Sequence, residues 1–289
     1  MFDFLTTIDA NFIDFERFPQ KVTVLAAAIA MGSGEFPLCF DAIGDEEKEA
    51  IMKNNLNAEL GLTNKRIATI QPRYYLPYGS FAEAKAGRDQ FIKQKMTLHT
   101  PQSYEGICNK NGVHLCSVID NPIYDFVGTK LTGTAFPPTD FIEVTDEDIS
   151  NEISYVKEKY SKINDDLILD YFKNSQFVDQ LSLYISWTSD NFITIYKTAC
   201  VDFSGSKPKI DFLTKFDWEN LKSEYDLDGS SNRYLYLKVR REILNQLIEQ
   251  SLPWENVSAG YQMRFERIPD IYNPKFWNHF TNNYICRSQ

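Results

Sequence analysis

The sequence predicts an α/β fold that continues into an α+β region, and three observations lead to this class. Residues 22–31 are apolar throughout, which is typical of a strand covered on both faces. A helical pattern and a second strand follow this run, and that order begins a layered α/β arrangement. Beyond residue 140, helical and strand-like patterns occur together, so the terminal region is predicted to be α+β.

The helix after the first strand is predicted from its two ends. Asp45, which follows a glycine, offers an N-cap with acidic residues behind it, and Gly61 is a natural stop. Residues 66–70 then lead into a strand at residues 73–76, whose two tyrosines favour strand geometry. Pro77 should end this strand, because proline cannot donate to the hydrogen-bond ladder of a sheet.

A change of composition marks the predicted domain boundary. Pro137 and Pro138 break the chain, and the acidic segment 143–152 follows them. We therefore expect one domain over residues 1–130 and a second domain over residues 140–289.

The second domain is predicted to contain helices and a hairpin. Residues 145–160 and 165–173 have helical patterns. Residues 182–186 and 191–202 alternate in the manner of paired strands, so a hairpin should form there. Residues 232–250 carry apolar side chains at helical spacing with Arg and Lys between them, which predicts an amphipathic helix.

Composition and charge argue against several classes of function. The 289 residues are 43% hydrophobic and 24% charged, so the chain has enough apolar residues for a substantial core. A net charge of -10 argues against the basic surface that nucleic acid requires. The apolar run at 22–31 is shorter than the ~20 residues that span a bilayer, and no signal sequence precedes it. The five cysteines are scattered and odd in number, which suits reduced thiols. Together these observations lead us to expect a cytoplasmic protein without nucleic-acid or membrane partners.

Three blocks of the sequence have an order of aromatic, arginine and proline residues that is too particular for a generic core. They are SGEFPLCF at 33–40, IQPRYYLPYGSFAEA at 70–84 and LPWENVSAGYQMRFERIPDIYNPKFWNHF at 252–280. Together they resemble the C-terminal half of the CMP-N-acetylneuraminate (CMP-sialic acid) hydroxylase family, iron enzymes that oxidise the N-acetyl group of this nucleotide sugar. The resemblance spans nearly the whole chain.

The resemblance implies a fold and a set of cofactors. The first part would be the second half of a metallo-β-lactamase-like αββα sandwich, followed by a smaller α+β C-terminal domain. In the family, a Rieske [2Fe–2S] cluster passes electrons, typically received from cytochrome b5, to a second iron that activates O₂. The iron-binding half lies N-terminal to these blocks, and Met1 stands shortly before the first of them. We therefore expect no cofactor bound by this chain alone and an N-terminal, Rieske-containing half as its partner.

The metal-ligating residue types fit no metal motif of these folds. A Rieske site needs paired C-x-H and C-x-x-H loops, and neither loop occurs in the sequence. The H-x-H-x-D-H motif of metallo-β-lactamase-like hydrolases is also absent, which argues against hydrolase activity. Cys108, His114 and Cys116 form the one cluster that invites a metal interpretation, and we interpret them as core or strand residues.

Two constellations in the resembling blocks are candidates for contacts to a nucleotide sugar. At Ser33 and Gly34, backbone N–H groups would turn towards a phosphate, although a tight turn without a ligand is the alternative that we favour. In the second constellation a guanidinium would pair with a carboxylate or phosphate and tyrosine rings would stack on cytosine. Packing in the core is its open alternative. Its members are Arg73, Tyr75, Tyr78 and Ser80.

Arg264 and His279 complete the predicted substrate-binding set. For His279, a hydrogen-bonded structural role is the favoured alternative. The aromatic residues of the same block are expected to hold the terminal domain together as a core. They are Trp254, Tyr261, Phe265, Tyr272, Phe276 and Trp277.

Three hypotheses about function follow from the sequence. The first is the C-terminal part of a CMP-sialic acid hydroxylase-like iron monooxygenase that is inactive alone, with catalytic residues unknown. The second is a non-catalytic nucleotide-sugar binding or interaction protein derived from that family. The third is an amino-sugar hydrolase or hydroxylase whose metal site has no visible motif. Because half of a sandwich would expose apolar faces, we also expect a homo-oligomer or poor solubility.

Overall fold

The computed structural model describes residues 2–7, 14–28, 35–79, 84–96, 99–120, 123–127, 130–135, 144–228 and 232–283. The chain forms two compact units. The first comprises Met1–Gly34, Asp45–Ala84 and Lys93–Glu143, and the second comprises Glu35–Gly44, Lys85–Ile92 and Val144–Gln289. The boundary between residues 130 and 140 stays a prediction. The second unit also includes Glu35–Gly44 and Lys85–Ile92, so the two units are not separated by a single cut in the chain.

The strands are numbered in chain order: β1 (Phe4–Thr6), β2 (Val24–Ala28), β3 (Tyr74–Tyr78), β4 (His114–Leu115), β5 (Ile123–Val127), β6 (Lys130–Thr134), β7 (Leu181–Thr188), β8 (Ile195–Asp202), β9 (Lys209–Leu213), β10 (Arg233–Arg240) and β11 (Met263–Ile268). The α-helices are α1 (Glu35–Leu38), α2 (Asp45–Ile70), α3 (Gln90–Lys95), α4 (Glu105–Asn111), α5 (Asp146–Lys159), α6 (Asp165–Asn174), α7 (Trp218–Asp228), α8 (Arg241–Gln250), α9 (Trp254–Ala259) and α10 (Pro274–Asn278). Short 3₁₀ turns lie at Phe15–Arg17, Gly87–Asp89 and Pro101–Tyr104, and a π-helical turn lies at His279–Asn283.

The first unit contains a parallel sheet in the order β1-β2-β3-β4. All five residues of β2 are buried, as the uninterrupted apolar run predicted. One cluster of the core joins this sheet to α2 and α4 through residues such as Leu25, Ile67 and Cys108. A smaller cluster joins the sheet to the antiparallel pair β5-β6. The α/β class is therefore confirmed for this unit.

The helix α2 is longer than the sequence indicated. It runs for 26 residues, from Asp45 to Ile70, so the predicted stop at Gly61 is wrong and residues 66–70 are helical. Gly61 is exposed, and a Cβ placed there would meet no atom within 4 Å. Its cost to a helix is about 1 kcal/mol. Because Ile67 and Ile70 are fully buried one turn and more beyond it, their packing outweighs that cost.

The strand β3 also continues past its predicted end. Pro77 lies inside it and pairs with Ala27 of β2, so the expected termination at Pro77 is wrong. The carbonyl of Tyr75 faces β4, where it accepts from the N–H of Cys116 at 2.8 Å. By alternation, the nitrogen of Pro77 faces the same side, beyond the last described β3-β4 pair. The missing donor of proline therefore breaks no described ladder bond.

The second unit is built on a mixed sheet in the order β11-β10-β7-β8-β9. β10 runs parallel to β7, and the other neighbours are antiparallel. The predicted hairpin is confirmed as β7-β8, and the two predicted helices are confirmed as α5 and α6. Helices and a mixed sheet make this unit α+β, as the sequence predicted.

The amphipathic helix predicted over residues 232–250 is only half correct. Its first part is the strand β10, and its second part is the helix α8. Residues 235–237, 239 and 240 are buried, so both faces of this strand are covered. β10 lies between β7 and β11, so its backbone groups are satisfied by two neighbours. The spacing of four residues from Leu235 to Val239 fits both periods and misled the sequence prediction.

A network of buried ion pairs fastens the segment Lys85–Ile92 within the second unit. The fully buried Arg240 places Nη1 2.7 Å from Oδ1 of Asp89. Arg88 donates from Nη1 to Oε1 of Glu242 at 2.6 Å, and the same nitrogen lies 3.5 Å from Oδ1 of Asp190. Because these guanidinium groups are shielded from water, the carboxylates are required to balance their charge.

Candidate functional site

A cleft with a volume of about 320 Å³ lies in the second unit. It opens over one face of the β10-β11 pair and is bordered by α9, α10 and the segment that contains α1. Its lining residues are Phe36, Phe40, Leu181, Arg233, Tyr234, Leu235, Glu255, Ser258, Phe265, Arg267, Pro269, Ile271, Tyr272, Asn273, Trp277, Asn278, Thr281 and Asn282. Its size is within the range of small-molecule sites, which is roughly 300–1,000 Å³.

One wall of the cleft is a continuous row of aromatic rings. The centroids of Phe36 and Phe40 are 5.2 Å apart, those of Phe40 and Phe265 are 5.0 Å apart, and those of Phe265 and Trp277 are 5.8 Å apart. Pairing of β11 with β10 fixes the position of Phe265. An isolated β-bridge between Phe40 and Phe265 fixes the position of Phe40. The wall offers flat, apolar surfaces on which a planar or sugar ring can pack.

Two arginines add positive charge to the cleft. Arg267 places Nε 2.5 Å from Oδ1 of Asp270 and holds its guanidinium 5.3 Å from the centre of the Phe40 ring. Arg233 is half-buried and has no ion-pair partner among the described residues. Glu255 is exposed and contributes a carboxylate. The cleft therefore combines aromatic surfaces with two guanidinium groups and one carboxylate.

The constellation predicted in the first unit is spread over different environments. Arg73 is exposed, with its guanidinium 5.5 Å from the Tyr74 ring. Tyr75 is fully buried in the core, and burial raises the pKa of its phenol. The hydroxyl of Tyr78 shares a hydrogen bond with the hydroxyl of Thr6. The buried position of Tyr75 favours the packing alternative.

Ser33, Gly34 and Ser80 lie outside the residues that the structure describes. The phosphate-binding role of the first two residues and the contact role of Ser80 therefore stay predictions.

Arg264 and His279 do not line the cleft. The Arg264 guanidinium is buried between two rings, 3.7 Å from the centre of Phe91 and 4.1 Å from the centre of Phe192. His279 donates from Nε2 to the carbonyl of Ser175 at 2.8 Å, and burial lowers its pKa. Both side chains have structural partners, as the alternative for His279 anticipated.

The aromatic residues of the third block are divided between core and cleft. Trp254 and Phe276 are fully buried, which fits the expected core. Tyr272 is 57% exposed and Trp277 is half-buried, and both line the cleft instead. The expectation that all six form a core is therefore wrong for Tyr272, because the chain segment that carries it borders the cleft opening.

No group of three or more His, Cys, Asp or Glu side chains is arranged to hold a metal within the described residues. Cys108 and Cys116 are buried, and burial raises the pKa of each thiol to about 11. His114 is exposed on β4, and His99 Nε2 lies 2.9 Å from the carbonyl oxygen of Leu56. These donors do not fit a Rieske cluster or a second iron.

Sequence reasoning missed most of the cleft. Phe40, Arg267 and Trp277 stand in the blocks that carried the family resemblance, so their unusual order was the available signal. Arg233 stands outside those blocks and begins the segment that was interpreted as a helix. Only the pairing of β10 with β11 brings it to the same face as Arg267.

The structure is that of a mixed α/β protein whose second unit contains a cleft lined by aromatic rings, two arginines and a glutamate. The chain is similar to the cytidine monophosphate-N-acetylneuraminic acid hydroxylase of Cricetulus griseus, with 22% identity over 96% of this chain and 49% of that protein. The hydroxylase of Mus musculus is 24% identical over 96% of this chain and 48% of its own length. The hydroxylase of Sus scrofa is 22% identical over 96% of this chain and 63% of its own length.

These similarities confirm the resemblance that the sequence blocks predicted. The chain spans about half the length of most of the curated relatives named here. No family model matches it, and no solved structure matches it. In the part of the chain that the structure describes, no helix has the length and apolar character needed to cross a membrane.

Proposed function

We propose that this chain binds a CMP-activated sialic acid in the cleft of the second unit. In this proposal it is the C-terminal part of a CMP-N-acetylneuraminate hydroxylase-like monooxygenase. The observation that carries the proposal is the aromatic wall beside two arginines, Arg233 and Arg267. The similarity to the hydroxylases supports the choice of ligand.

The chemistry of the ligand matches the chemistry of the cleft. CMP-sialic acid carries a planar cytosine, an anionic phosphodiester and a sialate carboxylate. Cytosine would stack on the rings of Phe40 and Trp277, because stacking of a base on an aromatic side chain is favourable by about 1–3 kcal/mol. Guanidinium groups bind phosphate and carboxylate through paired hydrogen bonds. The asparagines and hydroxyls at the rim would contact sugar hydroxyls.

The oxidation itself would need groups that this chain does not offer among its described residues. A Rieske cluster and a second iron would supply electron transfer and O₂ activation, and the donors described above do not fit them. We therefore propose ligand binding as the role of the cleft in the second unit. The partner in the proposal is a Rieske-containing half that receives electrons from cytochrome b5, in a cytoplasmic assembly.

The fold assignment belongs to the same proposal. The parallel sheet β1-β2-β3-β4 with α2 on one face would be the second half of a metallo-β-lactamase-like sandwich. Association of the chain with a second copy or with the Rieske-containing half would cover the edge of that sheet.

The experiment is calorimetric titration of the purified chain with CMP-N-acetylneuraminate. Trp277→Ala should weaken binding at least about tenfold, because it removes a stacking surface. Tyr155→Ala is the matched control, since Tyr155 is 54% exposed on α5 and does not line the cleft. Absence of saturable binding by the unmodified chain, or equal effects of the two substitutions, would contradict the proposal.

A second candidate is a nucleotide-sugar binding protein without any catalytic role. The aromatic wall and the arginines of the cleft provide the binding contacts that such a protein needs. Electron paramagnetic resonance of the chain purified from its native source separates the candidates. A Rieske signal that accompanies the chain supports the monooxygenase, and ligand binding without that signal supports the second candidate.

A further inference from the structure

The two arginines of the cleft have different surroundings. Arg267 is tied to Asp270, whereas Arg233 has neither an ion-pair partner nor a side-chain hydrogen bond to any described residue. We infer that Arg233 is the anion receptor of the cleft, which binds the phosphodiester or the carboxylate of the ligand, and that Arg267 is a positioning residue. This inference rests on the proposed function of the cleft.

The position of Arg233 suits a receptor. Its backbone begins β10, where its N–H donates to the carbonyl of Gln180 at 3.1 Å and its Cα pairs with Leu181 of β7. The strand therefore holds the base of the side chain firmly. Arg233 is half-buried and pairs with no carboxylate of the residues that the structure describes, so an anion can bind its guanidinium without displacing one of them. Such a group gains most from an ionised partner, because charge-assisted hydrogen bonds are the strong ones.

The register of the sheet places the two arginines on one face. Leu235 pairs directly with Arg267, and Arg233 lies two residues before Leu235 on the same side of β10. Arg233 and Arg267 are therefore diagonal neighbours, which in antiparallel pairs lie roughly 7–8 Å apart. Asp270 pairs with Arg267, so its carboxylate offsets the charge of that arginine.

Arg267 has a second attachment that indicates a positioning role. Its guanidinium lies 5.3 Å from the centre of the Phe40 ring, which belongs to the aromatic wall. Its side chain is 21% exposed, and the carboxylate on Asp270 satisfies its Nε. Loss of Arg267 would therefore loosen the wall for every ligand, charged or neutral.

The test compares ligands with and without each anionic group. Cytidine, CMP, N-acetylneuraminate and CMP-N-acetylneuraminate are titrated into the unmodified chain, Arg233→Gln and Arg267→Gln, with weak ligands measured by competition. Arg233→Gln should weaken binding of CMP or of N-acetylneuraminate at least about tenfold and leave cytidine within about twofold. Arg267→Gln should weaken cytidine and CMP by similar factors. Arg233→Lys should bind CMP more tightly than Arg233→Gln and less tightly than the unmodified chain. Lysine keeps the positive charge but lacks the paired donors of a guanidinium.

The same titrations identify the anion and separate the possible failures. A loss confined to CMP assigns the phosphate to Arg233, and a loss confined to N-acetylneuraminate assigns the carboxylate. Arg17→Gln is the matched control, because the side chain of Arg17 is 84% exposed in the first unit. If the unmodified chain binds none of the four ligands, the proposed function fails. Two outcomes with a chain that binds the ligands would show that the receptor assignment is wrong while the function stands. In the first, Arg233→Gln weakens cytidine and CMP equally. In the second, it weakens neither CMP nor N-acetylneuraminate.

Discussion

Replacement of Asp89 by alanine tests the buried ion-pair network of the second unit. The substitution removes the carboxylate that lies 2.7 Å from Nη1 of Arg240, whose side chain is 0% exposed. Burial already lowers the pKa of Arg240, and the charge of Asp89 counteracts that shift. The substitution would therefore leave a buried cation without its carboxylate, which typically destabilises a fold by about 3–5 kcal/mol.

The structure places the expected value at the lower end of that range. Arg240 keeps hydrogen bonds to Oε1 of Gln262 at 2.7 Å, to the carbonyl of Arg88 at 3.0 Å and to the carbonyl of Asp190 at 3.0 Å. These acceptors still solvate the guanidinium. We therefore expect Asp89→Ala to lower the free energy of unfolding by about 3 kcal/mol, and Asp89→Asn to lower it by less, because the amide oxygen remains an acceptor.

The assay is urea denaturation followed by tryptophan fluorescence, since Trp187 and Trp254 are fully buried in the same unit. Asp211→Ala is the matched control. Asp211 lies 3.7 Å from Lys209, and their side chains are 61% and 76% exposed, so its loss should change the free energy of unfolding by less than about 1 kcal/mol. Equal midpoint shifts for Asp89→Ala and Asp211→Ala would refute the reasoning.

The remaining predictions concern two glycines and a histidine. Gly61→Ala should raise the free energy of unfolding by about 0.5–1 kcal/mol, because Gly61 is in the exposed interior of α2 with open space around its Cβ. Gly112→Ala should lower it, since the φ angle of Gly112 is 68°, and opposite signs in urea denaturation are the check. Burial lowers the pKa of His279 below 6.5, so the unfolded chain binds its proton more readily and stability should fall as pH drops below 6.5. His279→Gln should reduce this fall between pH 7 and pH 5, and an unchanged pH profile would count against the assignment.

Local patterns were reliable where one period dominated. The sequence alone predicts the apolar strand β2, the hairpin β7-β8 and the helices α5 and α6. Predictions failed where a local signal competed with long-range packing. Gly61 and Pro77 are common terminators, but buried residues beyond Gly61 outweighed the first signal, and the described β3-β4 pairing ends before Pro77.

The sequence by itself determined the α/β and α+β character of the chain and its resemblance to the CMP-sialic acid hydroxylases. Those properties follow from residue types, periods and the order of residues along the chain. Only the tertiary structure decided which aromatic residues form the core and which line the cleft, as Trp254 and Tyr272 illustrate. It also brought Arg233 beside Arg267 and placed Lys85–Ile92 in the second unit. Burial and strand register depend on residues far apart in the chain, and a local pattern carries no information about those partners.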